Sequence, residues 1–214
     1  MPNHTPNLLS IVGERKIKKL LKPYLTETKD ESGEKVLSLD LGKIVPMPKE
    51  IEQSTKYGNM KYLMRKRTPE QENRMRLKQE KQEKKCLELY GAKSWYDWCI
   101  QYWGTKWNTY ENRFYKNEGN EHLYFQTAWS PPEPALRELA KKLGKIVRVS
   151  YMDEGYAFFG TYHFYPDGKV DDECYQSHES VPDRLCEELG IRTYEEDKEE
   201  QEEEERAEEL ALKG

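Results

Sequence analysis

Four histidines, four cysteines and one acid-rich hairpin are the side chains of this chain with reactive potential. His4, His122, His163 and His178 lie far apart in sequence, and none sits in a recognisable motif. A general base assembled from His122 or His163 with Asp153 or Glu154 would need the fold to bring them together, because no spacing does so. Asp167-Gly168 with Asp171, Asp172 and Glu173 suits either a divalent cation or a solvated hairpin. Cys86, Cys99, Cys174 and Cys186 form no CxxC pair, a pattern that reads as reduced thiols and disfavours a zinc site. The phosphate-loop, dinucleotide, nucleophile-elbow and HExxH signatures are all absent. The residue types therefore lean away from catalysis, and no catalytic residue, metal or cofactor is assigned.

Binding is the stronger theme. Ser94 to Trp107, SWYDWCIQYWGTKW, packs four of the five tryptophans into fourteen residues. Each aromatic ring can bury roughly 150–250 Å², so the run is either the keystone of a core or an adhesive surface. Trp95, Trp98 and Tyr102 fall on one helical face, and Trp103, Trp107 and Trp129 are expected to join them in a structural aromatic cluster. Lys106, between Trp103 and Trp107, also resembles the ring-and-cation clusters that stack bases and hold phosphates.

The basic stretch Lys61–Lys85 carries ten Lys/Arg against four Glu, a net of +6. Arg65, Lys66, Arg67, Arg74, Lys78 and Lys81, with Lys106, are its candidate polyanion contacts. Residues 193–214 carry eleven acids against three bases, a net of −8. Two solvated helices would show the same pattern.

These groups need a scaffold. With 36% hydrophobic and 35% charged residues, the chain mixes core-forming stretches with segments that cannot form a core. No apolar run approaches the roughly 18 residues of a membrane span, and Met1–Gly13 lacks the pattern of a secretory signal. A cytoplasmic protein is the resulting expectation. A strand near Asn7–Val12, a helix over Glu14–Leu25 and a strand at Val36–Leu41 make a β-α-β opening. Thr68-Pro69-Glu70-Gln71 begins a long exposed helix that ends before Gly91. Strands at His122–Trp129, Ile146–Tyr151 and Tyr156–Tyr165, with a helix between the first two, lead through Pro166-Asp167-Gly168 to a short strand and a last helix near Val181–Gly190. Asn108–Asn120 reads as irregular, and Asp153-Glu154-Gly155 as a turn.

The motifs WYDW, WGTKWN, TAWSPP and Y-x-DEG, in that order, resemble the YubB ferredoxin-like domain family of phage and plasmid proteins. The opening MPNHTPNLLSIVG and the segment KIVPMPKEI also fit that pattern, so the likeness covers roughly residues 1–50 and 86–190. The charged helix and the acidic tail have no counterpart in it. The resemblance implies a ferredoxin-like fold and a phage or mobile-element origin, and it transfers no catalytic residue.

The expected architecture is α+β: an antiparallel ferredoxin-like sheet with helices on one face. Residues 1–48 are its N-terminal part, 49–93 a charged helical insertion, 94–192 the aromatic and C-terminal part, and 193–214 an acidic tail, helical or disordered. The leading functional expectation is a non-enzymatic protein that contacts a host or defence protein. Alternatives are nucleic-acid binding through residues 61–85 and the aromatic cluster, or capture of a nucleotide-like ligand at a dimer seam.

Overall fold

The computed structural model describes residues 3–29, 32–52 and 68–213. Its centre is a six-stranded antiparallel sheet of order β4-β5-β1-β6-β7-β8. The strands are β1 (His4–Ile11), β4 (Tyr110–Asn117), β5 (Asn120–Ala128), β6 (Val147–Met152), β7 (Phe159–Phe164) and β8 (Val170–Tyr175). The fold is thus α+β with one antiparallel main sheet, as the strand and helix signals predict, and it agrees with the ferredoxin-like class that the motif resemblance implies. β1 runs between β5 and β6, pairing Leu9 with Leu123 on one side and Val149 on the other. All three side chains are fully buried. They point to the face covered by α1 (Ile17–Leu21) and α5 (Glu133–Leu143).

Helix α5 follows Pro131-Pro132 and ends at Gly144, which takes the left-handed conformation at φ +62°. Its stripe Leu136, Leu139 and Ala140 is fully buried against the sheet. The short helix α6 (Asp183–Leu189) departs from the one-faced arrangement. Its Leu185 and Cys186 pack with Met152 and Phe159, which alternation along β6 and β7 places on the opposite face.

Three segments differ from their sequence reading. β2 (Leu25–Lys29) and β3 (Lys35–Leu39) form a separate two-stranded hairpin, so of the β-α-β opening only β1 enters the main sheet. The segment after β3 turns at once into the one-turn helix α2 (Leu41–Ile44), because the Asp40 carboxylate accepts from the Gly42 amide and caps it. Asn108–Asn120, expected to be irregular, contains edge strand β4. At the C-terminus, residues 194–213 form helix α7 (Tyr194–Lys213). Its start is held by His178, whose Nδ1 lies 3.4 Å from Asp197 and whose Nε2 lies 3.0 Å from the Arg192 carbonyl.

The long helix α3 (Pro69–Tyr90) starts on a capping box. The Thr68 hydroxyl takes the Gln71 amide, and the Gln71 side chain takes the Thr68 amide. Of its described side chains only Cys86 is buried. Next come α4 (Trp95–Trp98) and a single wide π turn over Cys99–Trp103, closed by Gly104 N–H donating to the Cys99 carbonyl at 3.0 Å.

Gly104 sits at φ +82°, and a Cβ there would lie 2.5 Å from Pro134 Cδ and 3.1 Å from the Glu133 amide. The aromatic turn and the start of α5 touch through this hydrogen-only surface. Gly119, at φ +79°, has open space around its missing Cβ. Both positions charge an L-residue about 1–2 kcal/mol for the left-handed backbone, and Gly104 adds overpacking of about 1–3 kcal/mol. Urea unfolding should therefore show Gly104→Ala clearly less stable than Gly119→Ala. Equal losses would remove the packing role assigned to Gly104.

Candidate binding surfaces

The aromatic run divides into three environments. Trp98 and Trp103 are buried, Trp95, Tyr102 and Trp107 are half-buried, and Trp129 is 38% exposed. Trp98 stacks on Tyr102 at 3.9 Å between centroids and meets Tyr90 edge-on at 6.5 Å. With Ile51, Cys86 and Ala92 it forms a small separate core that docks the C-terminal end of α3. Burial pushes the Cys99 thiol up to about 12, which leaves it protonated and inert as a nucleophile. Trp103 instead enters the main core, and its Nε1 donates to the Val45 carbonyl at 2.9 Å. The π turn adds one residue per turn, and that phase change allows both rings to be buried.

Trp129 departs from the packed role expected of it. Its φ of +71° puts a bulky residue in the left-handed region and turns the indole away from the run of β5. The conformation is held from several sides. Trp129 N–H donates to the Asn3 carbonyl at 2.9 Å, and the Thr127 hydroxyl donates to the Ser130 carbonyl at 2.8 Å. The Ser130 hydroxyl donates to the Gly104 carbonyl at 2.7 Å, and the buried Thr105 hydroxyl bridges the Ala128 N–H and C=O at 3.0 Å each.

Lys106 Nζ then lies 5.1 Å from the Trp129 ring centre and 4.8 Å from that of Trp107, a cation held against two indoles. Tyr96, 40% exposed, meets Trp129 edge-on at 6.3 Å. The result is a rigid surface patch of two indoles, one phenol and one ammonium.

Arg74, Lys78 and Lys81 occupy positions i, i+4 and i+7 of α3 and share one exposed stripe. Among the described residues none of the three makes an ion pair. Arg65, Lys66 and Arg67 lie outside the described residues. Lys106 is remote from this stripe in role, being committed to the tryptophan patch.

Asp153, Glu154 and Gly155 occupy the connection between β6 and β7. The Asp153 carboxylate, 2% exposed, accepts from Gly155 N–H at 2.9 Å and from Asn3 Nδ2 at 3.2 Å. Glu154 accepts from the His4 amide at 2.8 Å. Neither histidine considered as a general base is among their partners. His122 stacks on Tyr115 at 5.4 Å, and His163 pairs across the sheet with Arg148. The hairpin acids also have separate partners. Asp171 takes Lys169 and the Tyr165 hydroxyl, Asp172 the Tyr151 hydroxyl, and Glu173 Arg184. No group of three or more His, Cys, Asp or Glu converges among the described residues in the manner of a metal site.

The surface missed by sequence reading is the half of the sheet that α6 leaves bare. Register places Arg113, Tyr115 and Asn117 of β4 beside His122 and Tyr124 of β5 and Leu8 of β1 on this face. Arg113 lies over the Tyr124 ring at 5.4 Å. Between these strands and the end of α6 runs a cleft of about 540 Å³, within the range of small-molecule pockets. The Arg113/Tyr115/Asn117 alternation around the inward Phe114 was its available signal.

Burial holds the imidazoles of His122 and His163 below their usual range, with Arg148 adding to the effect. The folded chain then binds fewer protons than the unfolded one as pH falls through the ordinary histidine range. Their contribution is complete above about pH 6.5 and is lost below it. The urea midpoint should drop between pH 7.5 and 5.5, and His122→Gln/His163→Gln should flatten that drop. An unchanged slope in the double variant would contradict the assignment.

A family model described as the ferredoxin-like domain in Api92-like protein matches residues 102–211. That segment carries β4 through α7, and the sheet is completed by β1 from outside it, inserted between β5 and β6. A crystal structure of the protein Api92 from Yersinia pseudotuberculosis is similar at 20% identity and a TM-score of 0.35, over 41% of this chain. The alignment spans 32% of that protein's length. No curated protein matches the chain. No helix among the described residues is long and apolar enough to cross a membrane.

Proposed function

Since the chain belongs to the family of ferredoxin-like domains in Api92-like proteins, we propose that it is a non-enzymatic binding protein that modulates a host or defence component by protein–protein contact. The YubB-like motifs support a phage or mobile-element origin and action in the host cytosol. The observation that carries the reading is the Tyr96–Lys106–Trp107–Trp129 patch. Rigid Trp and Tyr side chains lose little conformational entropy on binding and dominate interface hot spots. Here the strained backbone at Trp129, costing about 1–3 kcal/mol, keeps an indole at the surface where burial would be the default. Strain of that kind persists when the surrounding structure over-determines it.

The test compares bait proteins in a pull-down from infected host cells. A protein captured by the native chain should be lost with Trp129→Ala, a truncation expected to cost at least about tenfold in affinity. It should be retained with Leu77→Ala, an exposed position of α3 that is no part of the patch. Capture indifferent to Trp129, or turnover of a substrate by the purified protein, would refute the reading.

A second reading, nucleic-acid binding, is favoured by the Arg74/Lys78/Lys81 stripe, which makes no ion pair among the described residues. It predicts anisotropy-detected binding to single- or double-stranded probes that weakens steeply from 50 to 200 mM salt. Charge reversal of the three residues should abolish that binding. Flat titrations at low salt would eliminate it.

A further inference from the structure

The bare sheet face collects side chains whose bonding capacity is unused. Among the described residues, Arg113 makes no ion pair, and neither the Asn117 amide nor the Glu187 carboxylate has a hydrogen-bond partner. The Tyr124 hydroxyl accepts from Gln126 at 2.8 Å and has its own proton left to donate. The Tyr115 ring is fixed by its stack on His122, and its hydroxyl has no hydrogen-bond partner there either. All five line one cleft, between β4, β5, β1 and the end of α6, with Leu8 as an apolar wall. Convergence of a few free polar groups on aromatic walls is the signature of a small-ligand pocket.

The charges narrow the ligand. Arg148, the other arginine that the strands carry on this face, is neutralised by a two-pronged pairing with Glu188. Among the described residues one guanidinium without an ion pair, Arg113, therefore shares the cleft with one unpartnered carboxylate, Glu187, and the acids at the α6 end oppose a polyanion. Donors cluster on β4 and β5, while the acceptor Glu187 stands across the cleft on α6. A ligand that fits has a planar ring for the tyrosines, one anionic group for Arg113 and hydroxyls to donate to Glu187.

We propose that this cleft binds a nucleoside 5′-monophosphate, with its base against Tyr115 and Tyr124, its phosphate on Arg113 and its ribose diol on Glu187. The cleft shares no residue with the Trp129 patch, so either site can fail without the other.

Calorimetric titration of the full chain with AMP, GMP, CMP and UMP tests the proposal. At least one should bind with 1:1 stoichiometry, and its free nucleoside and inorganic phosphate should each bind more weakly. Arg113→Ala should weaken the monophosphate about tenfold or more and leave the nucleoside unaffected. The 2′-deoxy form should bind less well than the ribose form, and Glu187→Ala should close that gap. Tyr124→Phe should keep most of the affinity that Tyr124→Ala removes, while Trp129→Ala should change nothing. Arg113 and Glu187 are exposed, so their variants decide the matter even if Tyr124→Ala unfolds. No heat from any of the four up to millimolar concentration would overturn the proposal. So would affinity indifferent to Arg113→Ala, or a single-stranded oligonucleotide binding where the mononucleotides do not.

Discussion

The Trp103 indole donates a hydrogen bond to the Val45 carbonyl from inside the main core. That contact ties three parts of the chain that are remote in sequence. The N-terminal segment is held at the end of α2, the aromatic turn is held over the sheet, and Gly104 immediately afterwards lies against the start of α5. The bond satisfies a buried donor while the ring supplies apolar area, so the position needs both properties of tryptophan. Phenylalanine would leave the Val45 carbonyl without this partner, and a smaller residue would leave a void in the main core. The surface features inherit their placement from here. Thr105, Lys106 and Trp107 leave the turn in an order fixed by Trp103 and Gly104, and Ser130 reaches back to the same glycine.

Sequence legibility followed the strength of local physical signals. Thr68, Pro69 and Gln71 announced the start of α3, and Gly91 its end, because caps are determined within a few residues. The α5 stripe and the β5–α5–β6–β7 succession were equally plain, each having one apolar face against a core. β4 was not, because an edge strand with one bare face offers only Phe114 as an apolar marker among polar neighbours. The β2–β3 hairpin was obscured likewise, since residues Thr26–Lys29 are polar and pair only with β3. The burial of both Trp98 and Trp103 depends on the π turn, and no 3.6-residue count can supply that phase.

Trp129 shows a different limit. Residue type alone assigned it to the interior, whereas one backbone angle places it outside. The deciding bonds come from Asn3, Thr127 and Ser130, two of which flank it in sequence and are unremarkable as motifs. The candidate cleft was hidden for a related reason. Its walls come from β1, β4, β5 and α6, and only strand order makes them neighbours.

The two borders of the sheet carry one more consequence. Along β4 the ladder slips between Tyr110 and Arg113, Glu111 takes φ +50°, and the Asn112 side chain is occupied by the Leu39 amide. Along β8 the consecutive charged residues Asp171, Asp172 and Glu173, with the partner cations Lys169 and Arg184, line the margin where another strand would have to approach. Neither margin is a free template for main-chain pairing, so copies of this chain are discouraged from splicing into a continuous ribbon.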